Sequence, residues 1–338
     1  MRVLGWDVGG AHLKAALSVD ARVRRVWQLP TPLWRDLSAL EAGLTAISAQ
    51  AGPVDRHALT MTGELTDVFA DRAEGVQRIL QTCEAQLRHP QIAIYAHPSR
   101  WLRRTRARHT VSAVASANWS VTATWLGYRL RDALFLDVGS TTTDLIPIVG
   151  GKIAARGVSD WERLRHDELV YTGVTRTPVM AMAERVPYQG HWVTPMAEVF
   201  ATSADVYRVL GLLPEGVDLL PSADGRDKTP DLSARRLARM LGVDAEGVAP
   251  MRDCARFLVQ AQTWRLEQAL LAVMGTVSLP PQAPLVGAGI GRFLVRQLAK
   301  RAKRPYQDLS DLLPASPLLR APAADCAPAA CVALLASG

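Results

Sequence analysis

"LFLDVGSTTTDLIPI", running from Leu134 to Ile148, decides the fold. Leu134, Phe135, Leu136 and Val138 form an apolar strand that carries one carboxylate, Asp137, beside its end. Gly139, Ser140 and the threonines 141 to 143 follow as a small-residue turn, and Asp144 opens a second apolar stretch. An apolar run bounded by glycine and serine is the pattern of a strand entering a tight turn. An acid next to a turn rich in N–H groups and hydroxyls would repel a bare phosphate. A divalent cation between them removes the conflict, and Mg2+ is the usual hard partner of carboxylate and phosphate oxygens.

The N-terminus repeats the pattern. In "VLGWDVGGAHLKAAL" (Val3–Leu17), Asp7 precedes Val8, Gly9 and Gly10 as Asp137 precedes Val138, Gly139 and Ser140, 130 residues later. One such turn carries little weight, because Asp and Gly are common turn formers. Two copies in matching strand–turn–strand settings predict two related halves. Strands are expected at 2–8, 13–19 and 22–29, a helix over 34–50, a strand near 58–62, a helix at 72–87, a strand at 91–95 and helical spacing over 110–126. From Ala133 the order restarts, with a hairpin at "GGKIAARG".

The segment 161–200, rich in Pro, Gly, Thr and aromatics, reads as irregular and functional. Amphipathic helices follow at Ser233–Gly242, with Ser233 as N-cap, and at Met251–Gly275, with Gly275 as C-cap. "APLVGAGIGRFLVRQLAKRA" reads as strand, glycine turn and helix; its glycines at 287, 289 and 291 miss the dinucleotide spacing G-x-G-x-x-G. The expected architecture is α/β with two sheets. The domains are 1–132 and 133–338, the second with helical insertions and a last helix able to pack back on the first.

Length and composition agree. A chain of 338 residues exceeds a typical single core, and 49% apolar with 21% charged residues describes an ordinary globular protein. Cys83, Cys254, Cys326 and Cys331 have no zinc or redox spacing, so a reducing cytoplasm is expected. No apolar run suits a secretory leader or a membrane span. The net charge of +7 comes mainly from arginine, with dense clusters at Trp101–His109 and Lys300–Pro305. Solvated helix faces explain these better than a nucleic-acid patch, and a positive field that draws in an anionic small substrate suits either. The expected partners are small molecules, with no nucleic acid, no membrane, and a homodimer as the one assembly entertained.

The residues assign a chemistry. The turns Gly9, Gly10, Ala11 and Gly139, Ser140, Thr141, Thr142 are candidates to cradle phosphate, since glycine lets backbone N–H groups approach an anion without a Cβ in the way. Asp7 and Asp137, with Asp144 through water, are candidate Mg2+ carboxylates. Lys14 on the strand after the first turn can add a point charge.

The two aspartate–glycine turns and the late glycine turn (Gly287, Gly289) resemble the phosphate-1, phosphate-2 and adenosine motifs of the acetate and sugar kinase, heat-shock chaperone and actin superfamily. "DVGGAHLKAAL" and "DVGSTTTDLIPI" are similar to its hydantoinase/oxoprolinase branch. "MTGELTDVF", "ASANW", "ELVYTGVTRTPV" and "SADGRDKTPDLSARRLARML" resemble the methanofuran-biosynthesis synthase family. The resemblance implies two ribonuclease-H-like domains of the actin/hexokinase type with a cleft between them. It also implies a reaction: an aminomethylfuran-methyl diphosphate joins the phenol oxygen of a γ-glutamyl-tyramine or tyrosine unit, and diphosphate leaves.

That reaction needs an anion clamp and a base for the phenol, whose pKa is ordinarily about 10. Glu64 in "TGELTD" is the first candidate base and Asp67 the second; the alternative is that Glu64 caps the following helix or meets water. Asn118 and Trp119 are candidate pocket residues, with a core tryptophan as the other reading, and Arg176 is a candidate for a substrate carboxylate. Where many superfamily kinases carry a hydroxyl, this chain has Ala11-His12, which disfavours a γ-phosphate grip; His12 stands either as a phosphate ligand or as an ordinary strand histidine. The alternative activity is an ATP-dependent small-molecule kinase or an ATP-coupled amidohydrolase.

Overall fold

A computed structural model describes all 338 residues. They divide into two compact units, one of residues 1–135, 146–163 and 307–338, the other of 136–145 and 164–306. Where the sequence suggests one boundary after residue 132, the chain thus returns twice to the first unit.

The first unit is built on strands β1 (Arg2–Val8), β2 (His12–Val19), β3 (Arg22–Pro30), β4 (Arg56–Met61), β5 (Ile92–Ala96) and β6 (Arg100–Leu102), in the order β3-β2-β1-β4-β5-β6. β1, β2 and β3 run antiparallel as consecutive hairpins, and β4 and β5 are parallel to β1. Three antiparallel strands followed by two parallel ones is the ribonuclease-H-like order. Helices α1 (Ser38–Ala51) and α2 (Arg72–Leu87) supply the crossovers that parallel strands require. Alternation along β1 sends Leu4, Trp6 and Val8 into a core with Leu40, Leu44, Val76 and Ile79 of these helices.

The other face of β1 carries Val3, Gly5 and Asp7. Val3 packs with Val121, Val332 and Ala333, from helices that come later in the chain. A short helix α3 (Arg104–Ala107) comes first, and the expected single helix over 110–126 is two pieces, α4 (Val111–Val114) and α5 (Asn118–Gly127). The break falls at Ser116, whose φ of 48° no α-helix tolerates.

A second sheet has the order β10-β8-β7-β13-β14, with β9 on β8. Its strands are β7 (Ala133–Val138), β8 (Thr143–Val149), β9 (Lys152–Ile153), β10 (Leu169–Val170), β13 (Leu285–Ala288) and β14 (Tyr306–Asp308); β11 (Val186–Tyr188) and β12 (His191–Val193) form a separate hairpin. The first sheet's order is thus repeated, as the duplicated turns predict. Helix α6 (Asp160–Arg165) follows β9, and α7 (Ser203–Val209), α8 (Pro230–Arg239) and α9 (Arg252–Met274) surround a core of Val206, Leu237, Met251 and Leu258. α10 (Arg292–Arg301) follows β13.

Ser233 is not an N-cap: α8 starts at Pro230, and Thr229 accepts from the Leu232 N–H at 3.2 Å. Gly275 does cap α9.

The chain closes with α11 (Leu309–Leu312), α12 (Pro317–Asp325) and α13 (Ala327–Ala336). α13 lies so close to β1 that a Cβ on Gly5 would strike the Ala329 carbonyl and Ala333. No single helix is long and apolar enough to cross a membrane.

Candidate functional site

In the first unit the turn between β1 and β2 is closed by Gly9, whose N–H donates to the His12 carbonyl at 3.1 Å. That N–H is therefore spent within the turn. Neither Gly9 nor Gly10 has a positive φ. Gly9 is needed for space, since a Cβ there would come within 2.9 Å of the His12 oxygen. The segment after β3 braces the turn: Thr31 N–H donates to the Ala11 carbonyl at 2.8 Å and Leu33 N–H to that of Gly10 at 2.9 Å.

Asp7 is 4% exposed and stands directly opposite Lys14 in the hairpin. Lys14 donates its ammonium to the Asp325 carbonyl at 3.2 Å, which ties it to α12. His12 and Ala11 are buried.

The loop after β4 meets this turn. Thr62 and Gly63 both donate N–H to the Val8 carbonyl, at 2.9 and 3.0 Å. The next residue is Glu64, with 0% of its surface exposed. Ser116 Oγ lies 2.8 Å from Glu64 Oε1, while Oε2 has no hydrogen-bond partner. Burial pushes the Glu64 carboxyl above its ordinary value, the Asp160 charge adds to the rise, and Ser116 and Arg72 oppose it. Helix α2 is pressed against the Glu64 backbone at Gly75, where any Cβ would collide with the Glu64 carbonyl.

Asp67, the second candidate base, is exposed. Asn118 is half-buried at the start of α5. Trp119 is 2% exposed, its ring 5.0 Å from that of His97 and 4.3 Å from the Arg163 guanidinium. This is the core position rather than an open stacking surface.

The second unit repeats the arrangement with other side chains. Gly139 N–H donates to the Thr142 carbonyl at 2.9 Å, the counterpart of the Gly9–His12 bond. The brace comes from the irregular segment: Val174 N–H donates to the Gly139 carbonyl at 3.1 Å, and the N–H groups of Thr175 and Arg176 to that of Ser140 at 3.2 and 2.9 Å. Arg176 also donates to Thr141 Oγ1 at 3.2 Å, and burial lowers its guanidinium pKa. Arg176 is thus held at the turn with Ser140, Thr141 and Thr142.

Gly291 N–H donates to the Val138 carbonyl at 2.8 Å, as Gly63 does to Val8. Gly289, at φ 77°, is packed where a Cβ would strike Asp137 Oδ1 and the Val138 carbonyl, so this glycine seats the carboxylate. Gly287 faces Tyr306 instead. Asp144 pairs in register with Leu169 on β10.

Asp7 and Asp137 each offer hard oxygens beside a turn. No three Asp, Glu, His or Cys side chains converge on one point. Each turn thus offers a single carboxylate, which fits Mg2+ only together with ligand oxygens, a common arrangement for this ion.

Sequence reasoning missed three residues around Glu64. Ser116 lay inside the quoted string "ASANW", and Asp160 and Arg72 carried no signal that tied them to Glu64. It also assigned no role to Arg236 in "SADGRDKTPDLSARRLARML". Arg236 is 0% exposed and bridges Asp205 at 2.8 Å and Asp224 at 3.0 Å, so that string is the buried ion cluster of the second unit.

The hydantoinase/oxoprolinase family model matches residues 55–303. The chain is 31% identical over 247 residues, 73% of each chain, to the (4-{4-[2-(γ-L-glutamylamino)ethyl]phenoxymethyl}furan-2-yl)methanamine synthase of Methanocaldococcus jannaschii. The synthase of the same name from Methanococcus vannielii is 33% identical over 119 residues, 35% of this chain and 53% of its own length.

Among solved structures, a ROK family glucokinase from Streptomyces griseus in complex with glucose and AMPPNP is similar with a TM-score of 0.47 and 13% identity, covering 98% of both chains. An activator of the 2-hydroxyisocaproyl-CoA dehydratase from Clostridium difficile with bound ADPNP has a TM-score of 0.45 and 10% identity, covering 100% of this chain and 94% of its own. The fold assignment rests on the strand orders described above.

Proposed function

The chain belongs to the hydantoinase/oxoprolinase family, and from that premise we propose that it is a transferase of methanofuran-type cofactor synthesis. The furan-bound CH2–O bond of an aminomethylfuran-methyl diphosphate breaks and diphosphate leaves. The phenol oxygen of a γ-glutamyl-tyramine unit bonds to that carbon, and the phenol proton goes to a base. The observation that carries this reading is the match, across 73% of both chains, to a synthase named for the ether product.

The geometry suits the chemistry. A furfuryl carbon shares positive charge with its ring, so the main demand is to stabilise the departing anion, and preorganised electrostatics is often the largest catalytic term. The braced turn Gly139–Thr142, with Arg176 beside it, supplies hydroxyls and a guanidinium for diphosphate. Asp7 in the first unit and Asp137 in the second are the carboxylates suited to Mg2+, which when bound supplies charge stabilisation to the leaving group. Glu64, with Oε2 unpartnered and its pKa raised by burial, is the group matched to the phenol proton. Small molecules are the partners this requires. None of the four cysteines is in a disulfide, which suits the cytoplasm.

The test is a pair of incubations with Mg2+. One supplies the furan-methyl diphosphate and the glutamyl-tyramine, with ether and diphosphate followed by mass spectrometry; the other supplies ATP, with ADP followed. Ether and diphosphate in equal amounts are expected. ADP without ether would replace this reading with the kinase or amidohydrolase one.

A further inference from the structure

Transfer of the furfuryl group to a phenol releases one proton per turnover, and Glu64 is buried away from water. Its surroundings show where that proton goes. Ser116 Oγ lies 2.8 Å from Glu64 Oε1 and 3.1 Å from Asp160 Oδ2. A hydroxyl has one proton and donates one hydrogen bond. It cannot fully serve two carboxylates at once, so the contact with both is best completed when one of the two carboxyls carries a proton of its own. Asp160 Oδ2 also takes Arg72 Nη2 at 2.6 Å, so Asp160 is the ionised, accepting partner. The remaining proton is then on Glu64, which donates to Ser116.

We propose that Glu64, Ser116 and Asp160 form a proton relay, with the resting proton on Glu64 and Asp160 as the outlet to solvent. The inference rests on the transferase reading for its kinetic consequence, but not for the seat of the proton. Before each turnover Glu64 passes its proton to Ser116 Oγ, Ser116 passes its own to Asp160, and Asp160 releases it to water. The carboxylate left on Glu64 accepts the phenol proton as the ether bond forms and the diphosphate bond breaks. The protonated Glu64 is thereby restored.

Three further observations agree. Asp160 retains 20% side-chain exposure whereas Glu64 has none, so the relay runs from the interior towards water. Ser116 holds a left-handed backbone, φ 48°, which for a non-glycine residue is a strain that structures keep where the side chain must be aimed. The charges that act on Glu64 are those of Asp160 on α6 and Arg72 on α2, and its raised pKa follows from burial first and Asp160 second. Ser116 and Asp160 act through Glu64 and are positioning residues.

The experiment uses the full chain and two readouts. Infrared difference spectroscopy at neutral pH, wild type minus Glu64→Gln, reads the protonated carboxyl of Glu64 without any substrate. Steady-state kinetics then compares wild type with Ser116→Gly, which accepts the left-handed backbone but lacks the hydroxyl, and with Asp160→Asn. The expected result is a carboxylic-acid C=O band that shifts in Ser116→Gly. A kcat about tenfold or more lower in both variants is expected with KM unchanged, and thermal stability of Ser116→Gly preserved. Absence of the band in wild type, or a wild-type kcat in Ser116→Gly, overturns the relay. If the wild type makes no ether, the functional reading fails, and the band alone still upholds or overturns the place of the proton.

Discussion

The two halves place the same backbone device around different chemistry. In each, a glycine closes the first hairpin, a later segment braces that turn, and the loop after the strand beside the first, β4 or β13, donates to the carbonyl of Val8 or Val138. In the first half the residue after the donating glycine is Glu64, buried and linked to Ser116 and Asp160. In the second half it is Arg292, at the start of a helix. One scaffold thus presents a buried carboxyl in the first half, and cationic and hydroxyl groups in the second. A duplicated fold constrains where functional atoms stand, while the side chains decide what they do.

The largest effect that would break this comparison lies in the second half. Asp137→Asn is expected to lower ether synthesis about 10²–10³-fold with an unchanged circular dichroism spectrum. Wild-type rates would remove Asp137 from the machinery.

Next come the two clasps. Gly289→Ala should cost about 2–4 kcal/mol, because it combines a positive φ with collisions against Asp137 and the Val138 carbonyl. Gly63→Ala should cost less, about 1–2 kcal/mol, since its φ is not positive and the nearest obstacle, Leu33 Cδ1 at 2.7 Å, is a side-chain end, with backbone atoms only at 3.2 Å. Denaturant midpoints check the order; equal costs would mean that the clasps are mechanically alike.

An effect of pH sharpens the role of Glu64. A carboxyl whose folded pKa is raised contributes its full stability below the unfolded value of 4.5 and loses it as pH rises through the folded pKa. The wild type should therefore lose about 1.4 kcal/mol per pH unit in that window, and Glu64→Gln should not. Melting temperatures of the two proteins across pH 4–9 measure the difference; parallel curves would show that folding does not raise the Glu64 pKa.

Much of the scaffold was legible because its signals are local. The strand–turn–strand pattern, the 130-residue repeat and the glycines of "VGAGIG" lie in contiguous residues, and the sheet orders follow from them. The surroundings of Glu64 were hidden because they are not local. Ser116 is 52 residues away in sequence, and Gly75 matters only because α2 is pressed on the Glu64 carbonyl. The break at Ser116 was invisible for a similar reason: "VSAVASANW" is rich in alanine, the best helix former, and only tertiary packing imposes the left-handed turn. Arg236 shows the converse error, where a string distinctive enough to suggest function turns out to satisfy the buried Asp205 and the half-buried Asp224.

The glycine at position 5 has a consequence for biosynthesis. The face of β1 that carries it is covered by α13, which meets it at Ala329, 324 residues further along the chain. At about 5–20 residues per second, the ribosome needs roughly 16–65 s to supply that cover. During that interval the first sheet holds an apolar face in search of a partner, so the nascent chain is a natural client for a holding chaperone, and the first unit completes its core only when its last helix is made.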